Sequence, residues 1–169
     1  MRKMKGTISL VLSMVLCLTM CMPLSANEGC DILSPTPPVA ASEISPRGAN
    51  PPASSADIHD LSTSAYNYQV LDVGYQVFSS KWITGASSIQ VTVNNWKLLE
   101  YYIGATSNKV TISVYNSRKE LVDSDTITIY DKSGLTYLSG LTETEKYYVG
   151  VQVPTNGNRY KFNGTISKY

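Results

Sequence analysis

Histidine is almost missing from this chain: His59 is the only one in 169 residues. Cysteine is scarce too, at three, and two of these, Cys17 and Cys21, fall in or beside the N-terminal apolar run. A Ser-His-Asp or Cys-His arrangement needs a histidine held in a rigid frame, and a zinc site needs several nitrogen or sulfur ligands. Neither can be assembled from one histidine at the end of a proline-rich stretch, where a solvated side chain is expected, and one remaining cysteine, Cys30. That cysteine has no internal disulfide partner, so the domain must rely on its apolar core. Charged residues make up only 16% of the chain, and no basic run follows Lys5, which excludes an electrostatic nucleic-acid binder. A sustained helical period is absent as well, and with it the helical fold classes.

What is present begins with an address. Arg2, Lys3 and Lys5 precede an uncharged apolar run from Ile8 to Met20, followed by Pro23-Leu24-Ser25-Ala26. The run is shorter than the roughly 20 residues a membrane-spanning helix needs, and the basic start and small-residue end fit a secretory signal peptide over 1–26. The alternative is acylation at Cys21, although Met20 stands where a small residue belongs. Loss of the leader takes three of the 14 basic residues, leaving 11 against 13 acidic ones, a net charge of −2. Over 27–60 the composition shifts to Pro, Ser, Ala and Asn, with Pro35, Pro37, Pro38, Pro46, Pro51 and Pro52 close together. Proline removes backbone donors, and the segment has few large apolar side chains to offset its ordering entropy, so a disordered linker is expected. The folded domain is placed at 61–169.

Within 61–169 the side chains alternate. Tyr66, Tyr68 and Val70 share one parity and Leu71, Val73, Tyr75 and Val77 the other, which predicts a bulge or break near Val70-Leu71. Ile89, Val91 and Val93, then Val110, Ile112 and Val114, mark two further inward faces, while Lys97 to Ile103 reads as a loop or an edge strand. A single strand from Glu120 to Tyr130 with Ile127 and Ile129 inward would also aim Asp123 and Asp125 into the core. That is costly for unpaired carboxylates and predicts a bulge or a late strand start. Tyr147, Val149, Val151 and Val153, then Tyr160, Phe162, Gly164 and Ile166, flank a turn containing Asn156-Gly157, and read as a hairpin. The expected fold is all-β: one antiparallel sandwich of seven to nine strands, jelly-roll or Ig-like.

VTISVYNSRKELVDS, GLTETEKYYVGVQV and YKFNGTI follow one another in an order that resembles the bacterial pre-peptidase C-terminal domain and related small exported β-sandwiches. Val114-Tyr115-Asn116, Tyr147-Tyr148-Val149 and Tyr160-Lys161-Phe162 carry the likeness, which spans about Tyr66 to Lys168. Glu145-Lys146 departs from the glycine turn usual there, and the sequence before the domain contains no protease. The resemblance implies a non-catalytic accessory sandwich.

Twelve tyrosines and both tryptophans lie after Asp60. Inward parity accounts for Tyr147 and Tyr160, which leaves Trp82, Trp96, Tyr101, Tyr102 and Tyr148 as candidate ligand-binding rings, with core or edge packing as the alternative use. Asp123, Asp125 and Asp131 are the oxygen ligands that would suit calcium, without the spacing of an EF-hand loop. The remaining acids are scattered over turns and strand ends, so neither a carboxylate pair for glycoside cleavage nor any other catalytic set is expected. Together these features predict a secreted, monomeric, non-enzymatic binding or adhesion module at the bacterial surface, with a cell-wall or host glycan or a protein as ligand and no membrane span once the leader is cleaved. The alternative is an accessory domain that aids secretion or stability of a partner. Exposure of three or more of the five rings on one face would favour binding; their burial would favour the accessory role.

Overall fold

Strict alternation of Val, Ile and Tyr with polar residues gives each strand one apolar face, and two sheets stacked on those faces form the molecule. A computed structural model describes residues 30–33, 48–102 and 107–169, so the expected leader lies outside the described residues. The described residues form eleven strands: β1 (Asp31–Leu33), β2 (Ile58–Asp60), β3 (Tyr66–Val73), β4 (Gln76–Phe78), β5 (Trp82–Thr84), β6 (Ile89–Glu100), β7 (Lys109–Asn116), β8 (Leu121–Thr128), β9 (Gly134–Leu138), β10 (Tyr147–Gln152) and β11 (Arg159–Lys168). One sheet runs β1-β3-β11-β6-β9; the other runs β2-β5-β10-β7-β8, with β4 pairing β10 beside β5. Among the described residues there is no helix. The fold is a β-sandwich, as the alternation predicts.

Its core is the inward set. Val73, Val77, Ile89, Val91, Val93, Val110, Ile112 and Val114 have no exposed surface, and Tyr147, Val149, Val151, Tyr160, Phe162 and Ile166 close around them. Full burial of such a side chain contributes about 1.5–3 kcal/mol. The expected bulge in β3 is real: Phe162 pairs with Val70 and Tyr160 with Val73, so two residues of β3, Leu71 and Asp72, oppose the single Lys161 of β11. Gly157 takes the positive φ of +83° that its turn requires.

Three expectations are corrected, and one open choice, between loop and edge strand, falls to the edge strand. First, β10 and β11 do not form a hairpin. β10 pairs with β7, β4 and β5, whereas β11 pairs with β3 and β6 in the other sheet, and residues 153–158 cross between the layers. Two apolar faces joined by a short turn can meet side by side or face to face, and alternation alone does not distinguish them. Second, Lys97–Glu100 is strand rather than loop, and locally an edge: it continues β6 beyond Asn95, where β9 no longer pairs and β11 is its one partner among the described strands, and the Asn95 φ of 55° re-aims the strand and turns Trp96 onto Tyr160 and Phe162.

Third, the described part of 27–60 packs on the sandwich, which therefore starts before residue 61. β1 adds to β3 and β2 to β5, both in parallel, so the sheets are mixed rather than antiparallel. Leu33 is 2% exposed, and the Asp31 carboxylate accepts hydrogen bonds from the Tyr66 and Ser80 hydroxyls. A few anchors therefore fix a segment whose average composition reads as linker. His59 is also held, its Nε2 lying 2.9 Å from the Ser64 carbonyl oxygen and its ring edge-on to Tyr66.

Fourth, Asp123 and Asp125 keep the inward parity within an unbroken β8, opposite Val114 and Ile112. The bulge does exist, but at Val122. Because β8 is an edge strand, its inward side faces the gap toward β9, and both carboxylates are used there. Asp125 accepts from the Thr136 hydroxyl, and Asp123 from the Ser139 N–H at 2.8 Å. Inward charge on an edge strand also discourages pairing with another chain.

Candidate functional site

The five predicted rings divide among three places. Trp82 and Tyr148 lie together on the outer face of the six-stranded sheet, with centroids 5.8 Å apart, and are 6% and 3% exposed. Tyr148 alternates outward from the core residues Tyr147 and Val149, and its burial comes from a quartet rather than from the interior. It stacks on Tyr115 at 5.1 Å and 15°, and Phe78 approaches it edge-on at 5.8 Å. Burial, and then the neighbouring Tyr115, push the Tyr148 phenol above its ordinary pKa. Trp96 is half-buried at the end of the sandwich, stacked on Phe162 at 5.3 Å. Only Tyr101 and Tyr102 are exposed, at 56% and 68%. The Tyr102 N–H donates to Asn158 Oδ1 at 2.6 Å, and a Cβ at Gly157 would lie 3.1 Å from its ring. The five therefore form no common face.

Two of the quartet, Trp82 and Tyr148, floor a groove. Residues 50–54 run alongside it, tied down by the Trp82 indole N–H donating to the Ala53 carbonyl at 2.8 Å. On the other side stand Ser117 and Lys119, in the tight β7–β8 turn that Lys119 closes with a φ of 66°. Between them lies an open groove of about 420 Å³, lined by Pro51 and Pro52 on one wall, Trp82 and Tyr148 below, and Ser117 and Lys119 opposite. Gly150 leaves room for the Phe78 ring beside Tyr148, since a Cβ there would come 3.1 Å from that ring. Apolar floors with a few polar rim groups are the usual build of ligand sites. Tyr115 and Phe78 were missed because their parity had to be read together with that of Tyr148. The proline wall was missed because its segment reads as linker.

Opposite, three neighbouring rows on the outer face of the five-stranded sheet carry no charge, and the row beyond them holds Lys97 and Lys161. The first of the three runs Tyr137, Gln90, Ser167; the next runs Leu135, Thr92, Thr165, Asn67; a third runs Asn94, Asn163, Gln69, Ile32. Asn95 stands beside this third row because of its positive φ. Its Nδ2 donates to Asn163 Oδ1 at 3.1 Å, and Asn94 Nδ2 donates to Thr92 Oγ1 at 3.2 Å.

The calcium ligands do not converge. Asp123 and Asp125 bond to the β9 side, and Asp131 sits in the Tyr130–Ser133 turn. Among the described residues, no group of three or more His, Cys, Asp or Glu side chains could hold a metal ion. No helix among them is long and apolar enough to cross a membrane. No family model and no curated protein sequence matches the chain.

Proposed function

We propose that this protein is an exported, non-catalytic binding module that engages a glycan or protein at the bacterial surface through the groove between Pro51-Pro52 and Lys119. The observation that carries this reading is the Tyr148 and Trp82 floor beneath an open groove with a basic and a hydroxyl group on its rim. Rings fixed by mutual stacking lose little entropy when a ligand covers them, which favours recognition. The basic start and apolar run at the N-terminus support export. The test is a pull-down of the whole chain with cell-wall polymers, a glycan array and cell-surface proteins, repeated with Ser117→Trp. Ser117 is exposed, so the added indole fills the groove without entering the core. Loss of at least one retained partner in the variant is expected; no retention on any polymer or protein counts against the reading. The accessory role is favoured by one observation, the burial of Trp82 and Tyr148, and it predicts that Ser117→Trp leaves every retained partner in place.

A further inference from the structure

The outer face of the five-stranded sheet offers a second surface on the opposite side of the sandwich, independent of the groove. We propose that it binds a neutral polysaccharide chain laid across β3, β11 and β6. Solvent-facing sheet positions ordinarily carry many charges, yet the three rows described above contain none. An anionic polymer would find no cation in those rows and a single one, Lys161, in the lining of the smaller depression beyond them, and an apolar partner would have to strip water from amides that it could not pair. Sugar hydroxyls suit them, because each hydroxyl both donates and accepts while a side-chain amide presents a donor and an acceptor side by side.

The amides are also fixed in place. The Asn95 bond to Asn163 Oδ1 sets both planes and directs the Asn163 NH2 group away from its partner. Two adjoining depressions of about 510 and 230 Å³ share Asn95 and Asn163, so the surface is a continuous trough; the larger has no charged side chain in its lining, and Lys161 lines the smaller. Gly164 forms part of the lining of the larger one, beside Asn67. At one end of the face Tyr137 and Tyr169 stand together, centroids 4.4 Å apart and 48% and 71% exposed, where a ring can stack on the apolar face of a sugar. The Gln90 amide donates to the Tyr137 hydroxyl at 3.3 Å and links this platform to the amide rows.

The experiment is affinity electrophoresis of the whole chain in gels containing soluble mannan, β-glucan or xyloglucan, with alginate as the anionic control. Retardation by at least one neutral polymer and none by alginate is expected. Asn163→Asp, which keeps the shape and adds a charge, and Tyr137→Ala, at an exposed ring, should each weaken retardation at least tenfold, with thermal melts showing both still folded. Ser117→Trp should leave it unchanged, so failure here and failure of the groove are separable. The proposal is overturned if no neutral polymer retards the chain, if alginate does so equally, or if Asn163→Asp has no effect. It is also overturned if sedimentation shows that these substitutions instead abolish self-association through this face.

Discussion

Replacing Gly164 by alanine probes how closely the two central strands of the five-stranded sheet and Tyr68 pack. A Cβ at Gly164 would lie 1.9 Å from the Thr92 carbonyl oxygen and 2.6 Å from the Tyr68 hydroxyl. That hydroxyl donates to the same carbonyl at 2.7 Å, directly over the glycine, and Tyr68 is 1% exposed. The methyl must therefore push β11 from β6 or lift the phenol off its acceptor. Overpacking a core costs about 1–3 kcal/mol, and stranding a buried hydroxyl adds about 1–3 kcal/mol. The expected loss of about 2–6 kcal/mol is a large share of the roughly 5–15 kcal/mol that holds such a domain together. Urea unfolding followed by tryptophan fluorescence should show the midpoint falling by on the order of 1–3 M with the slope unchanged. Tyr68→Phe in the same chain removes the contact at 2.6 Å but not the one at 1.9 Å, so the double variant should recover part of the loss and no more. A single variant within about 0.5 kcal/mol of the parent would refute the packing argument, since a collision with a backbone oxygen cannot be that cheap.

Two further outcomes are expected. Asp125→Ala removes the acceptor of the Thr136 hydroxyl, which is 4% exposed, and should cost about 1–3 kcal/mol by thermal or urea unfolding; Asp125→Val should also speed aggregation, read by light scattering, because an edge strand loses an inward charge. Trp82→Phe keeps the ring stack but removes the indole N–H that holds Ala53, so limited proteolysis should cut near 50–54 sooner than in the parent; equal cutting rates would show that the bond does not anchor the segment.

Much of the sandwich could be read from parity, because every buried valine and isoleucine of β6, β7 and β10 stands where a period of two places it. The bulge at Leu71-Asp72 was legible for the same reason, as two parities cannot coexist in one unbroken strand. Partnership was not legible. Val149 and Phe162 belong to different sheets, and nothing in their spacing tells a neighbour from an opposite number. Asp31 and Leu33 were hidden by averaging: a three-residue strand with one buried leucine and one carboxylate accepting two hydroxyl hydrogen bonds barely alters the composition of a proline-rich stretch. Asp123 and Asp125 were misjudged because the cost of burial was applied as if β8 were central, whereas at an edge the inward side still finds donors on β9. Of the candidate rings, Trp82 and Tyr148 do meet, but the groove above them needs Pro51-Pro52 and Lys119, which come from distant parts of the chain. The three uncharged rows could have been seen in Asn67, Gln69, Gln90, Thr92, Asn94, Asn163 and Thr165, all at outward positions, had absence of charge been sought strand by strand.

The position of β11 constrains how the molecule comes into being. It is the middle strand of its sheet, flanked by β3 and β6, yet it follows both in the chain. As the polypeptide grows, β3 and β6 wait without the partner that joins them until the ribosome has added Arg159 to Lys168, so the five-stranded layer assembles only after β1 to β10 have all been translated. A nascent chain in that condition stays open and threadable until its closing strand arrives.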